Sequence, residues 1–240
     1  MVSTPLPANF ASELGAAAEQ NCVTLVFADS GYEEVVQNWL LHASVAGSKN
    51  HLIVALDNPL HQKLQAQGIN SVSASHPGSL NALWQYRVVC VAHALKLGYH
   101  IAHSDADAVW LQNPMKDLLE DTSVDVTFSQ GTIWPLDVFE HWGFVLCCGL
   151  FGIRSTPASR RFVDDWLTAV LDDPDDQRSL NRLLMSRNIS WERQPARRLS
   201  FRDHELSCFE KPLIGRSTTK AGDAETVSGE HDLTTKLLPH

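Results

Sequence analysis

Two carboxylates separated by one small residue, Asp105 and Asp107, close an apolar run in this 240-residue chain. The segment 99–114 reads Tyr-His-Ile-Ala-His-Ser-Asp-Ala-Asp-Ala-Val-Trp-Leu-Gln-Asn-Pro. Carboxylate oxygens are hard ligands and suit magnesium or manganese. In extended backbone alternate side chains share a face, so Asp105 and Asp107 can reach one ion while Ala106 keeps the opposite face small. The competing reading is a solvated turn or helix cap. Against it, the chain re-enters an apolar run, Val109-Trp110-Leu111, directly after the acids.

The elements needed to position such a pair are legible upstream. Residues 23–28 form a short apolar run, read as a buried strand. Asp29 and Ser30 can cap a helix in which Tyr32, Val35, Val36, Trp39, Leu40 and Ala43 recur at helical spacing, with Gly47 ending it. Residues 51–56 are a second strand closing on Asp57, and Asn58-Pro59 opens another helix. Gly68 closes that helix, and residues 69–72 supply a third strand. Leu80, Leu83, Trp84, Arg87, Val88, Val91 and Leu95 line one face of a long helix that ends at Gly98. Residues 99–104 are then the fourth strand, with the acids at its end. This alternation predicts an α/β fold with a mostly parallel sheet flanked by helices. In such sheets ligands bind outside the carboxyl ends of the strands.

Further on, residues 124–128 and 144–153 read as strands, and 160–171 and 177–187 as helices. Residues 1–20 are Ala- and Pro-rich and are expected to be a flexible leader. The domain is expected over 21–210, with 211–240 a polar tail in which 220–232 is loop or disorder.

Bulk properties set limits. Hydrophobic residues make up 44% and charged residues 20%, an ordinary globular composition. The formal charge of −9 offers no basic surface for nucleic acid. Five Cys with no C-x-x-C indicate neither a disulfide framework nor a zinc site, and Cys147 and Cys148 read as small apolar residues. No apolar stretch of about 18 residues suits a membrane span, and no signal peptide opens the chain. Asn188-Ile189-Ser190 is a sequon, which permits a lumenal life.

The segment from Gly98-Tyr99 to Asn113-Pro114 resembles the signature of the nucleotide-diphospho-sugar transferase family, which includes plant rhamnogalacturonan xylosyltransferases and extensin arabinosyltransferases. Gln37-Asn38-Trp39-Leu40, the strand ending at Asp57, Cys148-Gly149-Leu150-Phe151-Gly152-Ile153-Arg154, and Asp176-Gln177 followed by Leu180-Asn181 resemble its other motifs. The resemblance covers about residues 22–185. It implies a GT-A, Rossmann-like fold and transfer of a pentose or hexose from a UDP-sugar to a glycan or glycoprotein, with retention. It also implies Mn2+ or Mg2+ at Asp105 and Asp107 against the donor diphosphate, and a Golgi-lumenal location, or a cytoplasmic one if the chain is complete.

The same resemblance assigns the other residues. Ala28, Asp29, Ser30 and Tyr32 follow the first strand, where this fold receives the base and ribose; Asp29 serves equally as a helix cap. Asp57 contacts the uracil or ribose, or caps the helix after it. Arg87 pairs with the acid motif or the diphosphate, or is an ordinary surface Arg. Asp176 and Gln177 are the catalytic pair, Gln177 under the reacting sugar carbon and Asp176 on the sugar hydroxyls; alternatively they form an acidic helix start. Trp110, Trp134 and Trp142 can stack on sugars or fill the core. Relatives supply a further metal-ligating His near the C-terminus, but His204, His231 and His240 lack the expected setting.

Two other functions share these features. A phosphatase of the haloacid dehalogenase type also carries Asp-x-Asp after a strand, the first Asp being the nucleophile. Its motif follows the first strand, whereas three strand–helix units precede Asp105 here. The second alternative is an inactive module that binds nucleotide sugars without turnover.

Overall fold

A computed structural model of the chain describes residues 5–74, 78–217 and 233–239. The first half follows the expected alternation. It runs α1 (Phe10–Ala17), β1 (Cys22–Ala28), a short 3-10 turn (Ser30–Tyr32), α2 (Glu33–Val45), β2 (His51–Ala55), α3 (Asn58–Ala66), β3 (Ser71–Ser73), α4 (Leu80–Lys96) and β4 (His100–Ser104). Gly98, at φ +94°, makes the left-handed turn from α4 into β4.

Strands β1 and β2 are apolar but for Thr24 and His51, because both of their faces are covered. Val23, Leu25, Leu52 and Val54 face a core shared with α1, α4 and two later helices. Val26, Ala28, Ile53 and Ala55 face a second core built with Val36, Trp39, Leu60 and Leu64 of α2 and α3. Side-chain alternation along each strand thus feeds two helical layers.

The second half was less legible. It runs α5 (Met115–Leu119), β5 (Val126–Gln130), α6 (Leu136–Trp142), β6 (Leu146–Ile153), α7 (Pro157–Asp172), α8 (Asp176–Ser186), β7 (Ile189–Trp191), β8 (Ala196–Phe201), β9 (His204–Phe209), β10 (Leu213–Ser217) and β11 (Thr234–Leu237). The large sheet has the order β3-β2-β1-β4-β6-β5-β11-β10-β7, and β8 and β9 form a separate hairpin. Strands β3, β2, β1 and β4 are mutually parallel. Strand β6 runs antiparallel between β4 and β5. This is the mostly parallel α/β fold that the sequence predicts.

Both expected domain boundaries move outward. Residues 10–17 are no leader: Phe10, Leu14 and Ala17, spaced by four and three, bury one face of α1 in the main core. The Ala-rich composition around them masks that stripe. Nor are residues 213–217 and 234–237 a tail, for β11 pairs with β5 and β10 inside the large sheet. The segment 220–232, expected as loop, lies outside the described residues. The five cysteines are free thiols. Among the described residues no helix is long and apolar enough to cross a membrane.

Candidate active site

The acid pair sits where β4 ends, but in a turn rather than in extended backbone. Ala108 N–H reaches Asp105 O at 3.1 Å and Val109 N–H reaches Asp107 O at 3.1 Å. Alternation along a strand is therefore not what brings the two acids together. The turn is held from beneath by Ser104, whose Oγ accepts from the indoles of Trp39 (3.0 Å) and Trp110 (3.1 Å) and donates to Asp105 O (3.0 Å). That use fixes Trp110 as a core residue, 4% exposed, and not a sugar platform. Trp142, half-buried, stacks on Phe144. Trp134 is 47% exposed.

Asp105, Ala106 and Asp107 line a cavity of about 350 Å³. Ala28, Asp29 and Tyr32 enter it from the end of β1. Helix α4 contributes Leu80, Leu83, Trp84 and Arg87. The last four share one helical face, at spacings of three, one and three. The sequence marks that face as core, and its first turn instead overhangs the cavity. A larger cavity of about 670 Å³ lies at the opposite ends of the strands, around Cys22, His100 and Arg154. The cavity at the carboxyl ends is the one in the position for a ligand site.

Ser30 and Asp57 do not line the cavity. Asp57 Oδ2 accepts from Ser30 N (2.8 Å) and Oγ (2.7 Å), and its Oδ1 caps α3 at Leu60 N (2.9 Å). Asp29 combines two roles: it lines the cavity and caps the 3-10 turn through Gly31 N and Tyr32 N.

Arg87 is the hub of the site and is 6% exposed. Its Nη1 donates to Asp105 Oδ1 at 2.7 Å, and its Nε donates to Asp176 Oδ2 at 2.7 Å. Arg87 Nη2 also bonds Asp176 Oδ2, so two guanidinium donors converge on one carboxylate oxygen. Asp176 is 2% exposed and does not enter the cavity, so its carboxylate is used on Arg87 rather than offered to a ligand. Gln177 is also occupied: its amide donates to Trp134 O at 2.7 Å and accepts from Cys148 N at 3.2 Å. The two expected catalytic residues thus stand beside the cavity, joined to it through Arg87.

His103 joins the network without having been singled out in the sequence. It is fully buried, with Nδ1 2.9 Å from Leu25 O and Nε2 2.8 Å from Arg87 Nη1. A carbonyl only accepts, so Nδ1 carries the proton and Nε2 accepts from Arg87. Burial and the Arg87 charge both push its pKa down, which keeps the ring neutral. The signal was faint: an imidazole two residues before Asp105, on a strand that also carries His100 and Ser104.

Burial alone would raise the Asp105 carboxyl, but the Arg87 guanidinium at 2.7 Å outweighs this and holds it below the ordinary carboxylate range. A depressed carboxyl contributes stability above its unfolded pKa and loses it as pH falls through the folded value. Acid titration of the folded protein should therefore show the Asp105 signal moving below its ordinary 3.8. A midpoint near 3.8, read by carboxyl NMR, would show that the Arg87 contact is absent in solution.

Gly149 is a second unforeseen requirement. Its carbonyl accepts from Asp105 N at 2.7 Å, and a Cβ placed on it would lie 2.9 Å from Asp105 Oδ2. Gly149→Ala should therefore displace the Asp105 carboxylate while leaving the fold intact. The expected result is a loss of ligand affinity of about tenfold or more with a melting temperature within a few degrees of wild type. Unchanged affinity would mean that Asp105 does not need its place.

Known proteins resemble the chain in the same sense. The family model described as nucleotide-diphospho-sugar transferase matches residues 46–209. An arabinosyltransferase of Arabidopsis thaliana is 24% identical over 188 residues, 71% of this chain and 29% of the relative. The UDP-galactose:fucoside alpha-3-galactosyltransferase of Dictyostelium discoideum is 26% identical over 126 residues, 52% of this chain and 19% of the relative. The chain thus spans under a third of the length of these curated relatives. Among solved structures, the galactosyltransferase LgtC with donor and acceptor sugar analogs overlaps 68% of this chain and 70% of its own, at 12% identity and a TM-score of 0.46. A CMP:2-keto-3-deoxy-manno-octonic acid synthetase complexed with CTP overlaps 70% and 86%, at 14% identity and 0.44. Overlaps this partial carry no argument about function. The family match also sets aside the dehalogenase-type phosphatase, whose motif Asp105 and Asp107 share only in outline. By its sequence, over two-thirds of its length, this chain belongs to the nucleotide-diphospho-sugar transferase family.

Proposed function

We propose that the chain moves a pentose or hexose from a UDP-sugar to a glycan or glycoprotein acceptor, with a divalent ion, Mn2+ or Mg2+, held at Asp105 and Asp107. The observation that carries this reading is the charge balance at the cavity. Asp105, Asp176 and Arg87 sum to one negative charge, His103 being neutral, and Asp29 and exposed Asp107 add two more at the cavity wall. A site of that sign repels a diphosphate unless a cation stands between them.

The donor set suits such an ion. Asp107 is exposed and makes no side-chain hydrogen bond among the described residues, so its carboxylate is free to ligate. Asp105 Oδ1 accepts from Arg87, and Oδ2 makes no hydrogen bond among the described residues. Among the described residues no group of three His, Cys, Asp or Glu gathers round them. Magnesium is held in this way by one or two carboxylates plus substrate phosphates and water. When bound, the ion would offset the charge that builds on the departing nucleoside diphosphate.

The residues of this chain do the rest. Tyr32 and Trp84 offer aromatic surface for a base at the apolar side of the cavity. Arg87 holds Asp105 in place from within the core, and Asp176 holds Arg87, so Asp176 acts as a positioning residue. The retaining course is carried by the resemblance at Asp176-Gln177 alone. The names of the relatives favour an arabinosyl or galactosyl donor.

Calorimetry with UDP, UDP-galactose and UDP-arabinose, with and without manganese, tests the proposal. The expected result is binding that needs the metal; equal binding in its absence overturns the site. Release of UDP during incubation with either sugar donor separates an enzyme from a module that only binds.

A further inference from the structure

We propose that Trp134 is a stacking platform for the acceptor sugar, which extends the glycosyltransferase reading above and rests on it. Trp134 is 47% exposed, yet its indole N–H and its backbone carbonyl are both engaged. The indole Nε1 donates to Asp175 Oδ2 at 2.9 Å, and the backbone carbonyl accepts from Gln177 Nε2 at 2.7 Å. The Arg178 guanidinium lies over one face of the ring, 5.5 Å from its centroid, and is itself held by Asp173, so a sugar would take the other face. What remains open to solvent is therefore hydrocarbon of a ring that cannot easily turn.

An aromatic ring fixed in this way and left exposed is costly in water and favourable against a flat apolar surface. A pyranose or furanose presents such a surface on its C–H face while its hydroxyls reach polar groups at the rim. Asp175 also caps α8, accepting from Arg178 N at 2.8 Å, so the platform is built into the start of that helix.

Its place argues for the acceptor and not the donor. Trp134 does not line the cavity at Asp105 and Asp107. The two are joined through a short wall of small residues. A Cβ on Gly149 would meet Asp105 Oδ2 at 2.9 Å and Cys147 Sγ at 3.5 Å. A Cβ on Gly131 would meet Cys147 Cβ and Gln177 Nε2, each at 3.7 Å. Gln177 then holds Trp134. A sugar on the indole is thus a second sugar, across Gln177 from the donor carboxylates.

Saturation-transfer NMR on the full chain tests this, with UDP and manganese present and with methyl galactopyranosides and methyl arabinosides as probes. Wild type should transfer saturation to the sugar C–H protons. Trp134→Ala should reduce that signal at least tenfold and Trp134→Phe should retain most of it, with the UDP signal equal in all three. A glycoside signal equal in Trp134→Ala and wild type overturns the platform, as does the absence of any glycoside signal in a wild type that binds UDP. A wild type with no UDP signal overturns the donor reading instead.

Discussion

Replacing Asp107 by Ala should abolish metal-dependent binding of UDP while leaving the protein as stable as wild type. Asp107 is exposed and bonds no described side chain, so its removal breaks no internal contact and costs within about 0.5 kcal/mol. Its loss deprives the proposed ion of one of two protein ligands. The expected effect is on the order of a thousandfold in transfer rate, in line with removing one charge-stabilising group from an active site. Asp105→Ala would be the poorer experiment, because it also unpairs Arg87. Calorimetry with manganese and UDP, paired with urea denaturation, checks both halves. Undiminished UDP affinity in the Asp107→Ala protein would disprove the metal site.

Arg87→Met should have the opposite profile, a large loss of stability. Arg87 and Asp176 are both buried, and the variant leaves the Asp176 carboxylate inside the protein without its charged partner. Breaking a buried pair on one side costs roughly 3–5 kcal/mol, a large share of a typical stability of about 5–15 kcal/mol.

The pH dependence gives the cause. Burial already pushes the Asp176 carboxyl up, with the Arg87 charge opposing it. Without Arg87 the folded pKa rises further above the unfolded one. A raised carboxyl takes up a proton in the folded state, so its burden shrinks as pH falls through the folded value and is full above it. The variant should therefore lose least relative to wild type near pH 4 and most near pH 7, measured by urea denaturation at each pH. Adding Asp176→Leu should recover much of the loss, since a paired replacement leaves no orphaned charge. A deficit that is constant with pH and unrelieved in the double variant would mean that the buried ion pair is not what Arg87 supplies.

Much of the framework was legible because it is written locally. The two-sided apolar runs of β1 and β2, the helical stripe of α2, Pro59 at the start of α3 and Gly98 after α4 each declare an element within a few residues. The placing of Asp105 and Asp107 at the end of the fourth strand follows from counting those elements. Residues 10–17 escaped notice because an eight-residue stripe of three apolar side chains is a weak periodic signal. Strands β10 and β11 escaped because a short strand is stabilised by neighbours, and β11 finds β5 more than a hundred residues away.

The sequence by itself determined the class of fold, the family, and the pair of carboxylates at a strand end. Only the tertiary structure decided how they work together. It turned the acid pair out of extended backbone, tied Asp57 to Ser30, and withdrew Asp176 from the cavity to hold Arg87 across 89 residues of chain. It also drew in His103 and Gly149, which no spacing rule marks. The physical reason is that periodicity and capping act over a turn or a strand, whereas a buried charge takes whatever partner the packed core brings within hydrogen-bond reach.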